Sequence, residues 1–172
     1  NNDLTVANST DISTLDPFGM FSRIEVAFGD HLYQSLTFFN DDMEVEPLLA
    51  TSWERLEGDT TWTFHLREGV QFHNGEVFDA SVVKYSIEEY YTRNEAGQMV
   101  GGASVAVPSA DIIQVDIVDP YTVNITTNGP KALLPFYLSQ MWMIEPGFYR
   151  GTTDAERAEQ VMGTGPYVVK ER

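Results

Sequence analysis

Residues 50–76 read ATSWERLEGDTTWTFHLREGVQFHNGE, and this stretch decides the fold. Two runs that favour strands, residues 53–56 and 61–66, flank the turn residues Glu57-Gly58-Asp59, which predicts a β-hairpin. Apolar and polar side chains alternate in the second run, so one face of that strand is expected to be buried. Asn74-Gly75 predicts a second turn.

Upstream of this stretch, the sequence predicts a short strand at residues 3–7, a polar loop at residues 8–20 and a helix. Ser22 and Glu25 have the spacing of a capping box, in which each residue satisfies a backbone N–H of the other. Apolar side chains then recur at helical spacing, which predicts a helix as far as about Leu36. Residues 40–42 predict a turn.

Downstream, Asp79 predicts the N-cap of a helix whose apolar side includes residues 83, 87, 90 and 91. Residues 97–110 are rich in small side chains and predict a loop. A second hairpin is predicted about Asp119-Pro120, followed by a helix over residues 133–141, a capping box at Thr153 and Glu156, and a strand at residues 168–169. This order predicts a mixed α+β fold built on antiparallel pairs.

Length and composition restrict the possible classes of protein. The chain has 172 residues, 42% of them hydrophobic, which suits one domain or two small subdomains with a real core. No apolar run approaches the roughly 20 residues that cross a bilayer. Cysteine is absent, which excludes disulfides, thiolate metal sites and cysteine nucleophiles.

The formal net charge is -16. A surface this acidic repels nucleic acid and anionic lipid, and we therefore expect neither of them as a partner. It fits two interpretations equally well: a protein from a high-salt habitat, where ions screen the self-repulsion, or an ordinary acidic exported protein.

No motif predicts catalysis or a metal site. Ser81 and Lys84 match S-x-x-K, but the S-D-N and K-T-G triplets that accompany this nucleophile motif are missing. His65 and His73 lack the helical spacing that presents two imidazoles to one ion. The carboxylates are so numerous that no pair stands out. We therefore expect no catalytic residues, no metal and no cofactor.

Large, soft side chains form two groups at the edges of predicted loops. Packing explains these groups, and so does the wall of a ligand cleft, where apolar contacts dominate. The sequence pattern leaves both interpretations open for Phe18, Met20, Phe21, Met141, Trp142 and Met143.

Several segments, taken in order, resemble one family. They are Leu15-Asp16-Pro17, residues 47–53, residues 61–70, residues 72–76 and residues 163–167. Together they are similar to the bacterial extracellular solute-binding proteins of the oligopeptide, dipeptide and nickel class, which are receptors of ABC-type importers. The block at residues 50–76 is the most specific part.

The resemblance implies a longer protein whose two lobes close on a ligand about a hinge. Residues 1–42 and 163–172 would form the ligand-facing subdomain of the first lobe, and residues 43–162 its extra, hairpin-rich subdomain. The second lobe would lie beyond Arg172, and it would hold the acidic residue that captures a peptide's amino terminus.

The resemblance also implies ligand-facing residues. These are Phe18, Met20, Phe21, Arg23, Gln140, Met141 and Trp142. Nickel-binding relatives place an arginine near the segment that corresponds to residues 140–142. The absence of an arginine there favours a peptide over a metal chelate as the ligand.

The expected function is therefore that of a substrate-binding component of an ABC importer, most simply for oligopeptides or dipeptides, and not that of an enzyme. The expected partners are a small-molecule or peptide ligand and a membrane permease, and the expected state is a monomer. The location would be periplasmic or extracellular. A lipid anchor at the outer face of the cell membrane would be compatible with this location. Asn1-Asn2-Asp3 is read as a processed start and Arg172 as the end of a fragment. A ligand sensor of the same fold and, less simply, a hydrolase remain alternatives.

Overall fold

The computed structural model describes residues 11–98, 101–104 and 106–170. These residues form six α-helices and six β-strands, and the strands lie in two antiparallel sheets. The predicted mixed α+β class with antiparallel pairs is confirmed. The predicted strand at residues 3–7 lies outside the described residues.

The strands form one sheet of two and one of four. The smaller sheet pairs β1 with β2, and the larger has the order β3-β4-β6-β5. In chain order the strands are β1 Thr37–Phe39, β2 Val45–Pro47, β3 Ala50–Arg55, β4 Thr61–Leu66, β5 Ile112–Asp119 and β6 Thr122–Thr127.

Both predicted hairpins are present. Arg55 pairs with Trp62 next to the first turn, and Ile117 pairs with Val123 near the second. One face of the larger sheet is apolar, with Phe64 and Val123 paired and fully buried. This face packs against a helix, and the opposite face presents polar side chains, among them Thr61, Thr63, Asn124 and Thr126.

The helices are α1 Arg23–Gly29, α2 Ala80–Glu95, α3 Ala106–Ala110, α4 Leu134–Leu138, α5 Pro146–Gly151 and α6 Asp154–Glu159. Asp79 caps α2 as predicted, since its carboxylate accepts hydrogen bonds from the backbone N–H groups of Ser81 and Val82. Val83, Ile87 and Tyr90 form the buried side of α2.

Helix α1 begins at the predicted capping box but is shorter than predicted. Ser22 and Glu25 cap each other, and the helix ends at Gly29 instead of about Leu36. The N–H groups of Leu32 and Tyr33 both donate to the Gly29 carbonyl at 2.8 Å, which closes the helix with a turn. Leu32 and Leu36 are buried by tertiary packing, not by a helix face.

The predicted loop at residues 97–110 is partly helical. A 3-10 turn at Gly101–Ser104 precedes α3, because the small side chains allow close packing against the core. At Gly101, which has φ 57°, a Cβ atom would stand 2.2 Å from the Pro17 carbonyl oxygen. Only glycine fits such an approach.

Two predictions near the carboxyl end need correction. Helix α4 covers Leu134–Leu138, less than the predicted 133–141, and Pro135 lies in its first turn. Residues 168–169 are not a strand in the described part of the chain. Instead, the N–H groups of Gly165 and Tyr167 donate to the carbonyls of Leu32 and His31.

The buried apolar residues form two clusters. The larger lies between the four-stranded sheet, α2 and α3 to α5. The smaller contains Leu15, Met20, Leu32, Tyr33 and Trp142. Because Trp142 joins residues from the amino-terminal stretch, the second cluster ties distant parts of the chain together.

A buried ion pair connects the loop before α1 to α6. The Arg157 guanidinium lies 3.3 Å from the Asp16 carboxylate, and Tyr149 donates its hydroxyl to the same carboxylate at 3.1 Å. Arg157 also pairs with Asp154 and donates to the Tyr149 carbonyl. This pair therefore fixes the position of the loop that begins at Asp16.

No helix within the described ranges is long and apolar enough to cross a membrane.

Candidate binding cleft

A cleft of about 440 Å³ opens beside the smaller core cluster. Most of its lining comes from two stretches: Asp30, Tyr33 and Phe38 come from the segment after α1, and Gln140 and Trp142 follow α4. The volume is within the range of small-molecule sites, and the wall combines aromatic surface with a few polar groups, as such sites do.

Trp142 is held in the wall by contacts on all sides. Its backbone bridges that of Ser35, and its indole Nε1 donates to Asp30 Oδ1 at 3.0 Å. The indole stacks on the Tyr33 ring, with centroids 5.6 Å apart and planes at 28°. Beneath it lies Gly29, where a Cβ atom would come within 2.5 Å of indole Cη2. Trp142 is thus a rigid part of the wall.

Tyr33 is equally fixed. Its hydroxyl donates to the Leu15 carbonyl at 2.8 Å. Burial, followed by the nearby negative charge of Asp16, raises the pKa of Tyr33, so the ring is neutral at physiological pH. Tyr33 therefore offers the cleft an uncharged aromatic edge.

Asp30 supplies the negative charge of the wall. The surrounding protein partly desolvates its carboxyl group, which raises the pKa of Asp30, while the hydrogen bond from Trp142 and the neighbouring His31 oppose the rise. Asp30 caps the end of α1 with helical backbone angles. The end of the helix therefore places this carboxylate at the edge of the cleft.

Of the seven residues expected to face a ligand, two line the cleft. Gln140 is exposed and Trp142 is in the wall. Phe21 and Arg23 are exposed at the start of α1 but are not part of the lining.

The other three expected residues are packed in the interior. Met20 is in the smaller core cluster, and Met141 is in the larger. Phe18 is enclosed by Tyr90 and Tyr149, with the Arg93 guanidinium 4.1 Å from its ring centroid. A direct ligand contact by Phe18, Met20 or Met141 stays a prediction.

Several lining residues were missed in the sequence. Asp30, Tyr33, Phe38 and Phe39 line the cleft because α1 stops at Gly29 and the chain continues in extended form. Gly29-Asp30 is a helix stop signal of the usual kind, and it could have identified this segment.

The residues weighed for catalysis have structural partners. Ser81 donates its hydroxyl to Asp79 at 2.6 Å, and Lys84 donates to the Val115 carbonyl at 3.0 Å. His73 Nε2 lies 2.9 Å from the Gly165 carbonyl, and its Nδ1 accepts from the Gly163 N–H. The described residues contain no group of three side chains suited to a metal ion.

Comparisons with known sequences agree on one family of proteins. The profile described as bacterial extracellular solute-binding proteins, family 5 Middle, matches residues 44–172. The chain is 30% identical over 165 residues to the uncharacterized protein YhjP of Bacillus subtilis. It is 28% identical over 167 residues to the glutathione-binding protein GsiB of Escherichia coli K12.

These alignments cover 94% and 96% of this chain but 26% and 31% of the relatives. The chain therefore spans between a quarter and a third of the length of the curated relatives it matches.

Several solved structures share the fold of this chain. NikZ from Campylobacter jejuni, in complex with Ni(L-His), matches with TM-score 0.76 and 28% identity over 95% of this chain and 32% of its own. DppA from Helicobacter pylori, in complex with the peptide STSA, matches with TM-score 0.75 and 26% identity over 92% and 34%. NikA from Brucella suis, in complex with Fe(III)-EDTA, matches with TM-score 0.72 and 31% identity over 93% and 32%.

Proposed function

Because this chain belongs to family 5 of the bacterial extracellular solute-binding proteins, we propose that it forms the first lobe of a two-lobed receptor for an ABC-type importer. The receptor captures a small solute between its lobes and presents it to a membrane permease. The family consists of solute-binding proteins, which supports binding and not catalysis as the function of this chain.

The observation that carries this proposal is the aromatic cleft beside Trp142. It is built on a fold shared with solute-bound proteins over more than nine-tenths of this chain. A second lobe closing over such a cleft would bury the solute on both sides and exclude water, which is how hinged receptors of this kind hold ligands.

The proposed division of the lobe is that given by the resemblance: residues 1–42 with 163–172 face the ligand, and residues 43–162 form the extra subdomain. The two separate core clusters support a division of this kind. Trp142 belongs to the smaller cluster, so the segment around it contributes to the ligand-facing part across this boundary.

A short peptide is the solute that we propose. The volume of the cleft suits one or two side chains of a peptide, and DppA of Helicobacter pylori was solved with one. The relatives bind chemically different solutes, so the residues of the cleft, and not membership of the family, must determine the preference.

For location, we propose the periplasm or the outer face of the cell membrane, where such receptors meet their permease. The proposed state is a monomer. The charge of -16 disfavours nucleic acid and anionic lipid as additional partners.

The test is native mass spectrometry of the full-length protein purified from its source. We expect an additional mass of a small solute that denaturation releases. Phe38→Ala, which removes an exposed wall residue, should reduce the bound fraction. Met43→Ala is the matched control, because Met43 is an exposed apolar residue nearby that does not line the cleft. Equal binding by both variants would contradict the assignment of the cleft.

A further inference from the structure

The charge of the cleft wall is one-sided. Among the described residues that line it, Asp30 is the one side chain that is charged at neutral pH, and the wall holds neither lysine nor arginine. The rest of the wall consists of aromatic, small and uncharged polar side chains. A solute in this cleft therefore meets a single negative charge.

The Asp30 carboxylate uses one of its two oxygens for hydrogen bonding within the described part of the protein. Oδ1 accepts the indole N–H of Trp142, whereas no described side chain or backbone group donates to Oδ2. The neighbouring His31 ring directs Nδ1 to the Ala27 carbonyl at 2.8 Å and forms no ion pair with Asp30. Asp30 is exposed, so Oδ2 is open to solvent and can accept a charge-assisted hydrogen bond from a positive group on the solute.

The aromatic side chains add a second attraction of the same sign. Phe38 is 47% exposed and Phe39 is partly buried, and both line the cleft, whereas Trp142 and Tyr33 are buried against each other. The faces of aromatic rings attract cations, most strongly when water is excluded, as it would be after lobe closure. One carboxylate in a cleft that also exposes an aromatic ring suits an organic cation.

We propose that this cleft selects solutes that carry an ammonium or guanidinium group, which Asp30 binds in a wall that also exposes the ring of Phe38. The inference rests on the proposed function, because it assumes that this cleft is the solute site. A bare metal ion fits poorly, since one carboxylate supplies too few ligands and the described residues contain no cluster suited to a metal.

The experiment measures binding to the full-length protein after unfolding and refolding have removed any endogenous solute. The probes are two matched pairs that differ in one positive charge: N-acetyl-Ala-Lys-Ala and the same peptide acetylated at Nε as well, and choline and its neutral tert-butyl analogue. Binding is measured by calorimetry for the wild type, Asp30→Asn and Asp41→Asn. Asn at position 30 keeps an oxygen that can accept the indole N–H, and Asp41 is an exposed carboxylate in a turn outside the lining.

We expect the cationic member of at least one pair to bind about tenfold or more tightly than its neutral partner, and Asp30→Asn to abolish this difference. Asp41→Asn should retain it. If Asp30→Asn reduces the affinity for both members of a pair equally, Asp30 acts in lobe closure, and the inference is overturned.

Failure of all four compounds to bind would also overturn the selection of organic cations. A neutral or anionic solute released from the source protein by denaturation would then leave the proposed function standing. Absence of any bound solute in the source protein would instead count against the proposed function itself.

Discussion

The packing of Trp142 against Gly29 can be tested by adding one methyl group. Gly29 is the last residue of α1, and a Cβ atom there would lie 2.5 Å from Trp142 Cη2 and 2.9 Å from Met20 Sδ. Separations below 3.0 Å force neighbouring atoms to move. Trp142 cannot yield easily, because its indole is hydrogen-bonded to Asp30 and stacked on Tyr33.

The expected change in the free energy of unfolding combines two opposing contributions. Alanine is a better helix former than glycine by up to about 1 kcal/mol. Overpacking of a rigid core costs about 1–3 kcal/mol. Gly151 provides the control, since it is also the last residue of a helix, and its Cβ would have no neighbour within 4 Å. The gain in helix propensity is common to both variants. The difference between their unfolding free energies therefore measures the cost of overpacking at Gly29.

We expect Gly29→Ala to be less stable than Gly151→Ala by about 1–3 kcal/mol. Urea unfolding measures this as a lower midpoint at an unchanged slope. Tryptophan fluorescence should also change in the folded Gly29→Ala protein, because the displaced indole moves into the cleft. If Gly29→Ala unfolds at the same midpoint as Gly151→Ala, the wall of the cleft is not packed as described.

Three further predictions concern the stability of the fold. Melting temperatures should rise from dilute buffer to molar potassium chloride, because ions screen the charge of -16, with a matched sodium sulfate series as the control for salting-out; a flat chloride series would contradict this. Burial opposes ionisation of Glu25, but hydrogen bonds from Ser13 and Ser22 lower its pKa to about 2. This stabilisation is present above the ordinary pKa of about 4.3 and is lost as the pH falls toward 2, so Glu25→Gln should flatten the acid side of a stability profile; an unchanged profile would refute it. Arg157→Ala should cost about 3–5 kcal/mol of unfolding free energy, because it leaves the Asp16 carboxylate buried and unpaired. Arg150→Ala, at an exposed position, should cost less than about 1 kcal/mol, and equal losses would disprove the role of the ion pair.

The hairpins were predictable because their evidence is local. Residues 50–76 contain both strands and the turn between them, and alternation marks the buried face before any tertiary contact is known. The caps at Ser22, Asp79 and Thr153 were likewise visible, since a cap depends on residues no more than three positions apart.

The end of α1 was mispredicted for a physical reason. Leu32 and Leu36 continue the helical spacing of apolar residues, but both are buried by packing after the chain has left the helix. Periodicity reports burial and not the element that produces it, so the stop at Gly29-Asp30 should have carried more weight.

The cleft itself could only be predicted in part. It joins residues 30–39 to residues 139–142, and the contact between Asp30 and Trp142 spans 112 positions in the sequence. Resemblance to a family identified Gln140 and Trp142. Nothing local indicated that Asp30 would be the one charged side chain in the described wall.

The central claim, that this chain is one lobe of a two-lobed solute receptor, is tested most directly by comparing two proteins in one binding measurement. Calorimetry is performed on the full-length protein and on residues 1–172, with the solute that native mass spectrometry identifies and with circular dichroism to verify folding. We expect micromolar or tighter binding by the full-length protein. The 172-residue chain should bind no more tightly than about millimolar, worth about 4 kcal/mol, because half of the site and the closure are missing. Micromolar binding by residues 1–172 alone would contradict the central claim.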